Sequence, residues 1–271
     1  MFFFNPEYPV NPVKKIIFNS AKVLQKMKFT GNRALILGGS CDLAISLARR
    51  MIEAELFPIL TYRNEKGREY ISKNLKDCQK KYSSLYLEFG NRDSIDSLLH
   101  QTGDVIDFMV DFVQGNFESL VASADIEDVY SYFAENVSFR AEIVKRVARI
   151  MMKNKRGRLI FISSAAAKRP NPGQGFYAAA KLASEAIYKN LGLELGGHGI
   201  TTVTLRPGYI DSGRGKKFIQ DHSKEIIDKV PIKRALTKKE VAEAILFYLS
   251  NSAAGFNATE IPMDGGLTAG K

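Results

Sequence analysis

A doubly wound α/β sheet, mostly parallel and covered by helices on both faces, is the fold class that three features of this chain predict. From Arg33 onward, short β-branched runs alternate with longer helical stretches. The runs are apolar enough to be buried on both faces, as strands of a parallel sheet are. The first run ends in a glycine turn that opens a helix. At 271 residues, 45% apolar and 25% charged, the chain has enough aliphatic material for one large core, so one large domain is expected.

The elements follow in order. Strands are expected at Ala34–Leu37, Phe57–Thr61, Leu85–Leu87, Ile106–Val110, Leu159–Ile162 and Thr202–Leu205. Helical patterns run over Asp42–Ala54, Glu65–Lys81, Ala134–Lys153, Gly175–Leu195 and Lys238–Ser250. Strand and helix alternating this regularly predict a parallel sheet covered by helices on both sides. An arm over residues 1–30 precedes this domain at 31–271. In the arm, Val13, Ile16, Ile17, Ala21, Leu24 and Met27 recur at helical spacing beside Lys15, Lys22 and Lys26. A basic amphipathic helix of this kind rests on a membrane surface or on protein. The neighbouring Phe2-Phe3-Phe4 cluster needs burial, which favours packing on its own domain or across an oligomer interface over membrane contact.

Composition narrows the function classes. Cys41 and Cys78 are the only cysteines, and His100, His198 and His222 are scattered, so neither a disulfide framework nor metal-ligand spacing is present. A reducing cytoplasm is the expected location. No apolar run approaches the ~18 residues of a membrane span, and the first twelve residues lack a signal-peptide pattern. The net charge of +10 raises nucleic acid as a partner, but no recognition motif or basic-aromatic strand set accompanies it. Five lysines against Glu7 place +4 of that charge in the first 28 residues, leaving +6 for the domain. Nucleic-acid binding is therefore not the expected function.

The turn Gly38-Gly39-Ser40-Cys41-Asp42-Leu43-Ala44 stands where a doubly wound sheet holds a dinucleotide pyrophosphate on backbone N–H groups and a helix N-terminus. Gly38, Ser40, Cys41, Asp42 and Leu43 are the candidate cofactor contacts there. Only Gly38 of a three-glycine pattern survives; Asp42 takes the second position and Ala44 the third. A carboxylate repels a pyrophosphate, so Asp42 is expected to face away from it as the helix N-cap. The second strand ends in Tyr62-Arg63, with Tyr62 where NAD enzymes carry an acid and a base next to it. A guanidinium grips a phosphate in two-pronged fashion, so Arg63 favours NADP(H) over NAD(H).

The stronger signal is central. Ser164 closes a strand, Tyr177 follows 13 residues later, and Lys181 stands four residues beyond that. Positions i and i+4 share a helix face, so the phenol and the ammonium can point into one cleft. A phenol of pKa ~10 is a poor acid at neutral pH, and a neighbouring ammonium moves it toward the working range. Ser164 can give a second hydrogen bond to a substrate carbonyl. Taken singly, a Tyr–Lys pair on a helix is an ordinary surface feature. Its combination with Ser164 and the glycine turn makes a catalytic reading.

On these residues the chain resembles the short-chain dehydrogenase/reductase family over Arg33 to Lys271, and within it the single-domain 3-oxoacyl-[acyl carrier protein] reductases. The resemblance implies a Rossmann-type, seven-stranded sheet in one domain, with Ile261-Pro262-Met263 as the last strand and Asp264-Gly265-Gly266 as the turn after it. It implies that Asn136 holds a proton-relay water, that Pro207, Gly208, Ile210 and Ser212 flank the nicotinamide, and that Glu88 and Phe89 meet the adenine. The family's Asn-Asn-Ala-Gly appears as Asp111-Phe112-Val113-Gln114-Gly115, with Val113 on the cofactor wall, so that wall is rebuilt with bulkier residues.

The implied activity is NADPH-dependent reduction of a ketone, most of all a 3-oxoacyl thioester carried on acyl carrier protein in fatty acid biosynthesis. Asn136, Ser164, Tyr177 and Lys181 are the catalytic set, with Tyr177 as general acid and Lys181 also gripping the nicotinamide ribose. The glycines and exposed bases from Gly213 to Lys217 suit a small lid over 212–230 and an anionic substrate or acidic carrier. Another small ketone, a sugar or a polyketide intermediate is the runner-up substrate. Enoyl reductases of related fold place Tyr and Lys farther apart, and epimerase-like members have longer chains. A non-catalytic dinucleotide-binding partner protein is the other alternative, supported only by the altered glycine turn and the 111–115 segment. The resemblance also implies a homo-oligomer, tetramer or dimer, across the long helices Ala134–Lys153 and Gly175–Leu195.

Overall fold

The computed structural model describes residues 27–213, 215–216, 219 and 227–269. The arm as far as residue 26, and 214, 217, 218 and 220–226 of the expected lid, lie outside them. Seven strands, β1 Arg33–Leu37, β2 Phe57–Tyr62, β3 Ser83–Tyr86, β4 Phe108–Asp111, β5 Gly157–Ile162, β6 Ile200–Pro207 and β7 Thr259–Met263, form one sheet in the order β3-β2-β1-β4-β5-β6-β7. Every pairing among them is parallel. The sheet is thus the expected seven-stranded, doubly wound one, and it is wholly rather than mostly parallel.

The α-helices described end to end are α1 Asp42–Glu53, α2 Glu65–Asn74, α3 Arg92–Thr102, α4 Ile126–Phe133, α5 Phe139–Lys153, α6 Gly175–Leu195 and α7 Lys238–Leu249. Alternation along the strands divides the core in two. Ala34 and Ile36 of β1 join α1 and α7 in one buried cluster. Leu35 and Leu37 join α3, α5 and α6 in the other, across the sheet. The strand order reverses between β1 and β4, and such a switch point leaves a crevice at the carboxyl ends of the strands.

Several boundaries differ from the sequence reading, each for a local reason. The expected Ala134 helix start is preceded by a further helix from Ile126. There the Asp125 carboxylate accepts from the backbone N–H groups of Glu127 and Asp128, a side-chain N-cap. A wider π turn over Ala134–Ser138 then joins α4 to α5. The expected Glu65–Lys81 helix stops at Asn74 and becomes a 3₁₀ turn at Lys76–Cys78, which leads the chain into the edge strand β3. That strand spans Ser83–Tyr86 rather than Leu85–Leu87, in register with Ile59–Tyr62. β4 begins at Phe108, not Ile106. Asp107, just before it, accepts from the backbone N–H groups of Asn32 and Arg33 at the start of β1.

Candidate active site

At the carboxyl ends of the strands lies a cleft of about 350 Å³. The glycine turn leads into it. Gly38 has φ +72°, a conformation that favours glycine, and a Cβ there would lie 3.2 Å from the Val113 side chain. Its N–H donates to Thr61 Oγ1 (3.0 Å) and that of Gly39 to the Thr61 carbonyl (2.8 Å), which ties the turn to β2. Cys41, Asp42 and Leu43 then bring the N-terminus of α1 to the cleft.

Asp42 is not the N-cap that the sequence suggests. Cys41 occupies that position, and Asp42 is the first helical residue, one place inside. Its carboxylate accepts from the Tyr70 hydroxyl of α2 and from Ser212 Oγ (2.7 Å). Both bonds hold its carboxyl below the usual range, and the same carboxylate pushes the Tyr70 phenol up to about 12. The negative charge thus sits at the cleft, with both oxygens engaged by hydroxyl donors.

Ser164, Tyr177 and Lys181 line the same cleft, so the structure brings together the three residues that the sequence singles out. Ser164 follows β5 and starts a 3₁₀ turn. Its Oγ accepts from the Ala166 N–H (3.1 Å), so its own hydrogen is free to point elsewhere. Tyr177 and Lys181 ride one turn apart on α6. Lys181 is buried; its Nζ donates to the Ile162 carbonyl (2.7 Å) and lies 4.8 Å from the Phe161 ring centroid and 5.9 Å from that of Tyr177.

Asn136 stands apart. It is buried in the π turn and is not among the residues lining the cleft. Its Oδ1 accepts from the Gly115 N–H (2.7 Å), its Nδ2 donates to the Tyr132 carbonyl (2.9 Å), and its own carbonyl accepts from Arg140 and Ser184. These bonds pin the loop after β4 to the helices behind it.

The remaining candidates divide between two regions. Pro207, Gly208, Ile210 and Ser212 line the cleft beyond β6, and Gly208 lies so close to the Asp264 backbone that a Cβ would fall 2.9 Å from its Cα. Gly38, Ser40, Arg63, Glu88, Phe89 and Val113 do not line it. Arg63 is exposed at the end of β2. Glu88 accepts from the Tyr86 hydroxyl (2.8 Å), and the Phe89 ring packs on Phe139.

The sequence reading put the 111–115 segment on the cofactor wall with Val113 as its contact, and did not single out the residues that follow. Phe112 and Gln114 enter the cleft from the loop after β4. That loop is held by Arg140, fully buried on α5, whose Nε donates to Asp111 Oδ2 (2.8 Å) and whose other nitrogens reach Val113 O, Asn136 O and Ser184 Oγ. The Tyr188 hydroxyl also donates to Asp111 (3.0 Å); burial, and then that carboxylate, keep its phenol well above the ordinary range.

The left-handed Gly38 turn, the α1 N-terminus opening on the cleft and the close-packed Gly208 segment fit an elongated dinucleotide between the glycine turn and Lys181. The chain belongs to the short-chain dehydrogenase/reductase family: a family model described as Enoyl-(Acyl carrier protein) reductase matches residues 41–268. It is similar to the 3-oxoacyl-[acyl-carrier-protein] reductase FabG of Haemophilus influenzae, 30% identical over 241 residues that cover 88% of this chain and 98% of the relative. The enzyme of that name from Escherichia coli K12 is 29% identical over 245 residues, 89% of this chain and 99% of the relative. Among solved structures, a short chain dehydrogenase/reductase family protein superposes with TM-score 0.79 at 23% identity, covering 89% of this chain and all of that one. The crystal structure of gox2181 gives TM-score 0.84 at 20% identity, covering 91% of this chain and 99% of that one.

Proposed function

We propose that the protein is an NADPH-dependent carbonyl reductase that converts a 3-oxoacyl thioester, carried on acyl carrier protein, to the 3-hydroxyacyl product. The convergence of Ser164, Tyr177 and Lys181 on one cleft at the switch point of the sheet carries this reading. The names of the FabG relatives support the substrate class. Arg63, exposed at the end of β2, supports NADP(H) over NAD(H).

When bound, the nicotinamide dinucleotide supplies hydride to the carbonyl carbon. The chain's own residues handle the oxygen. Tyr177 gives it a proton as general acid. Ser164, whose Oγ is already an acceptor for Ala166, donates its hydrogen to the same oxygen and stabilises developing negative charge. Lys181, held by the Ile162 carbonyl, places a positive charge beside the phenol and favours its deprotonated form after transfer. Asn136 acts from behind, by fixing Gly115 and so the wall carrying Gln114. The exposed Leu182 and Leu193 on α6 support a homo-oligomer across the long helices. Among the described residues no helix is long and apolar enough to cross a membrane, and neither cysteine is in a disulfide.

The test is to incubate the protein with NADPH and a panel of 3-oxoacyl thioesters, other small ketones and 2-enoyl thioesters, following loss of nicotinamide absorbance. Turnover of the 3-oxoacyl thioesters is expected. Turnover confined to enoyl thioesters would favour the activity in the matching family model's description, and dinucleotide binding without turnover of any compound would leave a binding protein.

A further inference from the structure

A buried ion cluster that the proposed chemistry does not use lies next to Ser164. Glu185 is one turn beyond Lys181 on α6 and only 3% exposed. Its Oε1 accepts from Ser163 Oγ (2.5 Å) and from Arg206 Nε (2.8 Å), and its Oε2 accepts from Arg206 Nη2 (2.5 Å). Arg206 stands on β6 and reaches toward Glu260 of β7 (3.9 Å), which in turn pairs with Lys189 of α6 (3.2 Å). Desolvation makes a buried ion pair a poor device for stability, since apolar residues of similar volume commonly do as well. The cluster does supply a fixed acceptor for the Ser163 hydroxyl.

Ser163 makes the last bond of the β5–β6 ladder, its N–H donating to the Leu205 carbonyl (2.7 Å). Beyond it the chain turns at Ser164. Successive side chains of an extended segment point to opposite sides. Bolting Ser163 to α6 therefore fixes the rotation of this strand end about its own axis, and with it the direction in which Ser164 points. Tyr177, Lys181 and Glu185 share one face of α6 at four-residue intervals, so the same helix that carries the acid also sets the serine.

We propose that Ser163 and Glu185 are positioning residues, which hold the Ser164 hydroxyl in register with Tyr177 through the Ser163–Glu185 hydrogen bond. This rests on the carbonyl-reductase reading. Ser163 itself borders the cleft, so direct contact with the substrate is the competing role.

The experiment measures kcat, NADPH dissociation constant and melting temperature for the full chain and for S163A, S163T, S164A and the S163A/S164A pair. S163A is expected to lower kcat about 10–100-fold, the scale of a small misplacement of a catalytic group, with NADPH affinity within about twofold of wild type. S163T keeps a hydroxyl and is expected to recover most of the rate. In the S164A background, S163A is expected to cost nothing further, because the group it positions is gone. An undiminished kcat in S163A, or a loss that persists in full when Ser164 is already alanine, would overturn the proposal while the carbonyl-reductase reading stands. A wild-type protein that reduces none of the carbonyl panel would remove both.

Discussion

The regions proposed for catalysis and for nucleotide recognition are built differently. At the catalytic end, α6 is clamped from both sides at consecutive positions. Ser184 accepts from Arg140, Glu185 is gripped by Arg206, and one turn earlier Lys181 is held by the end of β5. These side chains are buried or nearly so, and their partners are distant in sequence. Where the nucleotide is expected, the glycine turn is tied to β2 by a backbone bond from Gly39 and by the Gly38 N–H on the Thr61 hydroxyl, while the side chains expected to recognise the cofactor, exposed Arg63 and half-buried Glu88, lie at the strand ends outside the cleft lining. The difference matches the work proposed for each. Proton transfer needs groups fixed within a few tenths of an ångström, and phosphate recognition by an exposed guanidinium tolerates motion.

The clamp at the catalytic end is open to direct disruption. Arg140→Met strands the buried Asp111 carboxylate and is expected to cost about 3–5 kcal/mol of stability, read as a lowered urea midpoint. Adding Asp111→Leu should return much of that loss, because the pair is then replaced by apolar groups; no recovery would show that the ion pair itself supplies the stability.

Recognition at the nucleotide end should be separable from folding. Arg63→Ala is expected to leave the melting temperature almost unchanged and to raise the Michaelis constant for NADPH about tenfold, with little change for NADH, since a charge-assisted bond to phosphate is worth about 1.5–3 kcal/mol. Equal effects on both cofactors would remove Arg63 from the 2′-phosphate site.

A smaller, pH-linked effect is expected where α7 starts, behind the nucleotide-end layer. Arg234 pairs with the Glu240 carboxylate, and Thr237 and Glu240 form a capping box; together they lower Glu240 to about 2, against an ordinary 4.5. The folded-state pKa is depressed, so this contribution is present above about 4.5 and is lost as pH falls toward about 2. Glu240→Gln should therefore lower the melting temperature modestly at pH 7, with the gap to wild type closing below pH 4. A constant gap across that range would mean that packing, not charge, is at stake.

How much could be read from the chain alone follows the same division. The α6 limits, Gly175–Leu195, and the Ser164, Tyr177 and Lys181 convergence were legible because local helix spacing carries them. The long-range ties were not. Arg140 is one of three arginines in the α5 pattern, and its full burial against Asp111, 29 residues away, and Ser184, 44 residues away, distinguishes it from Arg146 and Arg149. Glu185 likewise reads as a solvated helix charge until β5 and β6 are brought beside it. Asp42 was misplaced by one residue, enough to turn an expected cap into a carboxylate that bridges Tyr70 and Ser212.

The most direct test is Tyr177→Phe, which removes one hydroxyl from the cleft and little else. Turnover of a 3-oxoacyl thioester with NADPH should fall by about 10²–10⁴-fold, while NADPH affinity stays near wild type. A Tyr177→Phe enzyme that retains its rate would contradict the assignment of Tyr177 as the proton donor, and with it the chemistry placed in this cleft.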